Sequence, residues 1–226
     1  MDAVDQLRQS FAAVADPSNA APMAAYMKHI APFVGVHADL RRRVVRTWCS
    51  QLSLQSADDV CSLATRLCRE PEREFHYAAA DVAAYWLRLL DASFIADHAA
   101  TLLLQTPWWD SVDLWGSDVI NPLCNRYECA TTLWHWNGSG NRWLIRASIQ
   151  HQRGRKQHYD VDLVFALCAP HVADSEFFVA KAIGWALRDI AKYQPARVQE
   201  FVAAHPQLST VARREALRRI ERGLLQ

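Results

Sequence analysis

The sequence predicts an all-α chain, built from antiparallel helix pairs stacked as HEAT-like repeats into a curved α-solenoid. Three observations carry this. Apolar residues recur at spacings of three and four along the whole chain, while the alternating patterns of β-strands are nearly absent. Only 7 Gly and 9 Pro occur in 226 residues, too few turn formers for a many-stranded β fold. The periodic segments accommodate roughly a dozen helices, about six pairs, near the ~40-residue period of HEAT-like repeats. Literal self-similarity between repeats is not visible. An apolar fraction of 51% excludes intrinsic disorder, because that much apolar side chain collapses.

The punctuation between helices follows chain order. Asp16-Pro17-Ser18-Asn19 breaks the first helix. Ser56 and Asp59 form a capping box for the segment holding Val60, Leu63 and Leu67. Pro71 opens the next helix, Pro107 a later one, and Asn121-Pro122 closes that one. Asp174 caps the run 175–193, Pro195 starts another helix, and Ser209 precedes the last, whose core stripe is Leu217, Ile220 and Leu224. Asn137-Gly138-Ser139-Gly140 and 153–157 are short loops. No linker or composition shift divides the chain, so residues 1–226 read as a single domain.

Charge and cysteine usage narrow the function classes. Lys and Arg number 25 against 24 acidic residues, a net charge of +1. Any polyanion-binding surface must therefore arise from local segregation of charge. No run reaches the roughly 18 apolar residues of a membrane span. The acidic start, with Asp2 and Asp5, does not read as a signal peptide, so the expected compartment is the cytoplasm. The 6 Cys lack a C-x-x-C pair, and the 9 His lack ligand spacing, so no disulfide framework, metal or other cofactor is expected. Without a coiled-coil heptad run, a monomer is the default.

Three helix faces combine charge with aromatic or small residues. In 107–121, Trp108, Val112, Trp115 and Val119 form a core stripe. Beside it lie Trp109, Asp113 and Gly116, an indole next to a carboxylate next to a residue with no side chain. That stripe reads either as rim packing with a solvated charge or as a site. The mid-helix glycine favours the second, since such a glycine often marks a close approach. In 174–193, Lys181, Trp185 and Arg188 share a face, with Gly184 beside them. This face suits a phosphate backbone together with a cationic group, or simply two cations snorkelling over a buried indole. In 141–152, Arg142, Arg146 and Gln150 share a face, followed by Arg153, Arg155 and Lys156. Basic runs of this kind are either solvated or phosphate-facing. Arg41-Arg42-Arg43 with Arg46, and Arg213, Arg214, Arg218 and Arg219, are further basic clusters. In a concave solenoid, one such face per repeat lines a common groove.

The chain resembles the AlkD family of bacterial alkylpurine DNA glycosylases, which are built from HEAT-like repeats. The matching stretches are MAAYMKHIAPFVGV (23–36), EREFHYAA (72–79), WWDSVD (108–113), WLIRASIQHQ (143–152), EFFVAKAIGWALRD (176–189) and REALRRI (214–220). They span nearly the whole chain in family order, and WWDSVD and FFVAKAIGWALR are the specific ones. The resemblance implies a concave DNA-binding face and excision of N3- and N7-alkylated purines from double-stranded DNA, without turning the nucleotide into a pocket. It implies Asp113 as the catalytic carboxylate, with Trp109 and Trp185 as cleft aromatics. It implies Arg146 as the cleft arginine and Tyr26 as a third aromatic. Lys181 and Arg188 would hold backbone phosphate, and Arg142 lies on the same DNA-binding face as Arg146.

That chemistry suits these residue types. A cationic alkylpurine leaves as a neutral base, and positive charge moves onto the deoxyribose as an oxocarbenium ion. A carboxylate stabilises that charge and orients water at C1′. Indole faces add about 0.5–2 kcal/mol each against a cation. Two rival readings are a non-catalytic HEAT-repeat binder of damaged or branched DNA and a HEAT scaffold for protein partners.

Overall fold

The computed structural model describes residues 2–223, with side chains to residue 220; Leu224 of the expected last core stripe lies outside them. Helices follow one another from Ala3 to Gly223, and no strand occurs among the described residues. No helix there is long and apolar enough to cross a membrane. The chain divides into two compact units, the first ending at Thr106 and the second beginning at Pro107.

The first unit contains α1 (Ala3–Ala12), α2 (Pro17–Tyr26), α3 (Ala38–Cys49), α4 (Ala57–Cys68), α5 (Arg73–Tyr85) and α6 (92–105, interrupted by a wide π turn at Ile95–Ala99). Asp16 caps α2 with Pro17 at its first turn, and the Ser56–Asp59 capping box opens α4 as expected. Pro71 lies just ahead of α5 rather than within its first turn. Packing runs between near neighbours in the chain: α1 on α3, α3 and α4 on α5, α4 on α6. This is how stacked helix pairs bury an apolar stripe on each helix.

A buried acid and a buried arginine organise this unit. Glu74 is fully buried and accepts the backbone N–H groups of Val34, Gly35 and Val36 at 3.1, 2.9 and 3.0 Å. It thereby satisfies a loop that has no helix of its own to bond. Gly35 sits at φ +92°, and a Cβ there would lie 2.0 Å from the Asp16 carbonyl oxygen. Arg41, expected in an exposed basic cluster, is instead buried against Asp81 (Nε–Oδ2 2.8 Å). Its neighbours Arg42, Arg43 and Arg46 remain exposed.

The second unit begins with a bent helix α7, formed by Trp109–Trp115, a π turn at Gly116–Ile120 and Asn121–Cys124. Asn121-Pro122 therefore does not close this helix. The π turn has already broken the regular hydrogen-bond ladder, so the missing N–H of Pro122 costs little. There follow α8 (Ala130–Asn137), α9 (Arg142–Gln150), α10 (Val161–Cys168), α11 (Phe177–Ala191), α12 (Pro195–Ala204) and α13 (Thr210–Gly223). The cap of α11 is Glu176, accepting from Phe178 N–H; Asp174 instead accepts from Glu176 N–H in the turn before. Helix α9 packs on α7, α8, α10 and α11, and α11 packs on α12 and α13. Every residue of α9 except Arg142 is buried.

Helices α11 and α13 approach closely at Gly184 of α11. A Cβ there would be 2.6 Å from Glu215 Cβ and 3.0 Å from the Ala212 carbonyl oxygen. Gly116 is the contrary case, because a Cβ there meets nothing within 4 Å. Within the chain, the glycine that admits a close helix approach is Gly184, while the space beside Gly116 is open. A polar network also ties α8, α9 and α10 together. Asn137 Nδ2 donates to Ser148 Oγ (3.1 Å) and to the Leu167 carbonyl (3.0 Å). Buried His151 bonds the Ser148 carbonyl through Nδ1 (2.7 Å) and Gln152 Nε2 through Nε2 (2.9 Å). Only the neutral Nδ1–H tautomer satisfies both, because a protonated ring sets N–H against an amide donor.

Two predictions follow from this packing. Gly184→Ala should destabilise the protein by about 1–3 kcal/mol, since backbone and a Cβ must move apart, whereas Gly116→Ala should be neutral or raise stability by up to about 1 kcal/mol. The shift in urea midpoint checks both. Burial lowers the His151 pKa to about 4 from its ordinary 6.5. The neutral ring therefore supports the fold fully above about pH 6.5, and that support declines as pH falls toward 4, by roughly 3 kcal/mol in all. Urea titrations between pH 4 and 7 should show this slope, reduced in His151→Leu.

Candidate functional site

Asp113 lies in the second turn of α7, whose start is shaped by Ser111. Its hydroxyl accepts from the Trp108 backbone N–H at 3.3 Å and lies 3.1 Å from the Trp108 carbonyl. The carboxylate thus points from α7 to α9, where Arg146 meets it. Arg146 Nε donates to Oδ1 and a terminal nitrogen to Oδ2, both at 2.8 Å. The third nitrogen donates to the Phe178 carbonyl of α11, also at 2.8 Å. The side-chain amide of Gln150, buried beside them, lies 3.2 and 3.3 Å from two Arg146 nitrogens, so its oxygen is the end that suits that side. The Arg146 side chain is 1% exposed and that of Asp113 13%. One guanidinium therefore ties three helices, with every nitrogen engaged.

A second arginine reaches the same carboxylate from outside. Arg153, in the turn after α9, donates to Asp113 Oδ2 at 3.1 Å with its side chain 39% exposed. A pair this exposed contributes at most about 1 kcal/mol. Trp185 on α11 completes the cluster. The guanidinium carbons of Arg146 and Arg153 lie 5.1 and 5.0 Å from its ring centroid, and that of Arg188 lies at 5.8 Å. Ile149, Gln150, Arg153, Tyr159 and Trp185 line a small cleft that is closely filled by its own side chains, unlike the roomy pockets that enclose a ligand.

Lys181 and Arg188 flank Trp185 on α11, as the helical spacing requires. Neither is simply solvated. Lys181 Nζ bonds Glu215 Oε1 at 2.7 Å, and Arg188 bonds Oε2 at 2.6 Å, from beneath the face. Glu215 is 6% exposed. Burial pushes its carboxyl pKa up, but the Lys181 hydrogen bond and the charges of Lys181, Arg188 and Arg218 together hold it below the ordinary value. Glu215 reaches them because Gly184 lets α13 approach α11.

The remaining candidates divide. Trp109 is half-buried, one turn from Asp113 on the same helix face. Arg142 is half-exposed and pairs with Glu176 at 3.1 Å. Tyr26 belongs to the first unit, at the end of α2, and is 71% exposed. Lys28 and His29 just after it both have positive φ. Arg146, expected on the DNA-facing side, is instead buried with each guanidinium nitrogen bonded inside the protein, which places it here as the partner of Asp113. Its neighbours carried the signal: Trp143, Leu144, Ile145, Ala147 and Ile149 leave α9 no solvent face, and a charge on such a helix must find a partner. Three participants escaped the sequence reading: Glu215, the Phe178 carbonyl, and Arg153 as a partner of Asp113. A lone acid set among Arg213, Arg214, Arg218 and Arg219 was the available sign for Glu215.

Aromatic packing holds this frame rigid. Trp108, Trp143 and Phe178 form a cluster with ring centroids 4.8–5.8 Å apart. It lies beside the carbonyl that Arg146 holds. Among the described residues, no group of three or more His, Cys, Asp or Glu is placed to hold a metal ion.

Comparison with known proteins bears on this arrangement. No curated protein matches the chain significantly. A solved structure described as a predicted DNA alkylation repair enzyme from Enterococcus faecalis superposes with a TM-score of 0.82 and 29% sequence identity, over 90% of this chain and 95% of that one. The family model for DNA alkylation repair enzymes matches residues 7–220. With that match covering both helical units, the chain belongs to the DNA alkylation repair enzyme family.

Proposed function

We propose that this protein is an AlkD-type DNA glycosylase that hydrolyses the N-glycosidic bond of cationic N3- and N7-alkylated purines in double-stranded DNA. The observation that carries the reading is the Asp113 carboxylate. Arg146 fixes both its oxygens from below, a partly exposed Arg153 covers it from the solvent side, and Trp185 stands beside the arginines. A carboxylate held in this way cannot rotate away from developing charge, and such preorganisation is the largest common source of rate enhancement.

The reaction assigns each group a task. The alkylated base departs as a neutral purine, taking both electrons of the C1′–N bond. Positive charge appears on the deoxyribose, and Asp113 stabilises it and orients the water that adds at C1′. The faces of Trp109 and Trp185 favour the cationic sugar and base. Arg146 positions the carboxylate. Lys181 and Arg188, preset by Glu215 and each about a quarter exposed, contact backbone phosphates, with Arg142 and Tyr26 as further DNA contacts. The small cleft supports a mode in which the damaged base is not swallowed. The protein acts as a monomer, in the cytoplasm, on nucleoid DNA.

One observation favours a second reading. Both Asp113 oxygens already bond arginines, as in a purely structural ion pair, which is what a non-catalytic binder of damaged DNA requires. Asp113→Asn separates the two. On the glycosylase reading, release of 7-methylguanine from methylated duplex falls at least about 100-fold while duplex binding persists. Wild-type protein that binds but releases no base supports the binder. Arg146→Lys should lower stability by up to about 3–5 kcal/mol and slow excision, because it leaves a buried carboxylate poorly paired. The salt dependence of DNA binding should keep its slope in that variant. Lys181→Ala should instead reduce the slope by about 0.9, one phosphate contact.

A further inference from the structure

Two guanidinium groups face the single carboxylate of Asp113, and both lie about 5 Å from the Trp185 ring. The free site is therefore already over-neutralised. An incoming cation gains little from Asp113 while both arginines remain, because like charges at this separation repel. The two arginines are not equivalent. Arg146 is buried, uses all its nitrogens and ties three helices. Arg153 touches Asp113 through one nitrogen, with its side chain 39% exposed.

The backbone at Arg153 is fixed independently of that contact. Asn121 of α7 donates from Nδ2 to the Arg153 carbonyl at 2.8 Å, and Asn121 Oδ1 accepts from Arg155 Nε at 2.7 Å. The turn therefore stays in place when the Arg153 guanidinium leaves. Departure requires only side-chain rotation toward solvent.

We infer that Arg153 is a resident stand-in for the substrate's positive charge: it occupies a cation subsite formed by the Asp113 carboxylate and the Trp185 ring, and a cationic nucleotide displaces it. The inference rests on the glycosylase reading for the identity of that cation, but the subsite itself is defined by these three side chains. A neutral nucleotide gives nothing in return for the lost contacts, so Arg153 stays and the carboxylate remains covered. A cationic sugar or alkylpurine replaces Arg153 contact for contact. Arg153 thereby competes with the incoming cation, tempers its advantage over a neutral nucleotide, and keeps the carboxylate masked against the anionic backbone of undamaged DNA.

The test compares two duplexes that differ at one nucleotide. One carries a protonated pyrrolidine abasic analogue, the other its neutral tetrahydrofuran counterpart. The readout is the ratio of their Kd values in wild type, Arg153→Gln and Arg153→Lys. Loss of the competing guanidinium should raise the preference for the pyrrolidine duplex about three- to fivefold in Arg153→Gln, as expected for an exposed ion pair. Arg153→Lys keeps the charge and should stay near wild type. Equal weakening on both duplexes makes Arg153 a phosphate contact and overturns the proposal. A preference that collapses toward one makes Arg153 a support for Asp113, which also overturns it. Release of 7-methylguanine by the wild type, measured alongside, reports separately on the glycosylase reading. Its absence overturns that reading, while the pyrrolidine ratio still decides the subsite.

Discussion

A guanidinium buried to 1% exposure persists in a folded chain only if acceptors meet its charge, and Arg146 finds one for each nitrogen on two helices other than its own. Two donors go to Asp113 on α7 and one to the Phe178 carbonyl on α11. The same bonds that neutralise the charge set the spacing of three helices and the orientation of the Asp113 carboxylate. Stability and site geometry are thus one interaction. Cutting it removes a structural tie and a chemical group together, which is why a positioning role for Arg146 and a reacting role for Asp113 have to be separated by different measurements.

Around that pair, charge is balanced in layers. Arg153 covers Asp113 from the solvent side, while Glu215 underlies Lys181 and Arg188 on the flank. The layers differ in how firmly they are held. Glu215 is almost fully buried, and the close contact at Gly184 brings its helix against α11. Arg153 is a surface side chain on a pinned turn. A low net charge is therefore compatible with a strongly charged site, because the acids that cancel its cations sit beneath it or inside it.

The first unit solves a different problem with the same device. A loop that lacks helical bonds passes over the start of α5, and one buried glutamate accepts three of its backbone N–H groups. Gly35 is required there because a side chain would collide with the Asp16 carbonyl. In both units, buried charge is spent on fastening segments that apolar packing alone leaves undirected.

Local patterns alone determined the helical class, most of the breaks between helices, the Ser56–Asp59 box, the Val112, Trp115 and Val119 core stripe, and the shared face of Lys181, Trp185 and Arg188. All depend on residues within a turn or two of one another, where spacing dictates neighbours. Tertiary structure decided which charges are partnered. Arg41 and Arg146 read as surface cations yet are buried against Asp81 and Asp113, 40 and 33 residues away in the chain. It also decided that α13 approaches α11 at Gly184, and that Asn121-Pro122 continues a helix through a π turn. Helical periodicity says which side of a helix a residue occupies. It does not say what stands opposite, and for a charge it is the opposite group that fixes whether the side chain serves DNA, a carboxylate or the fold.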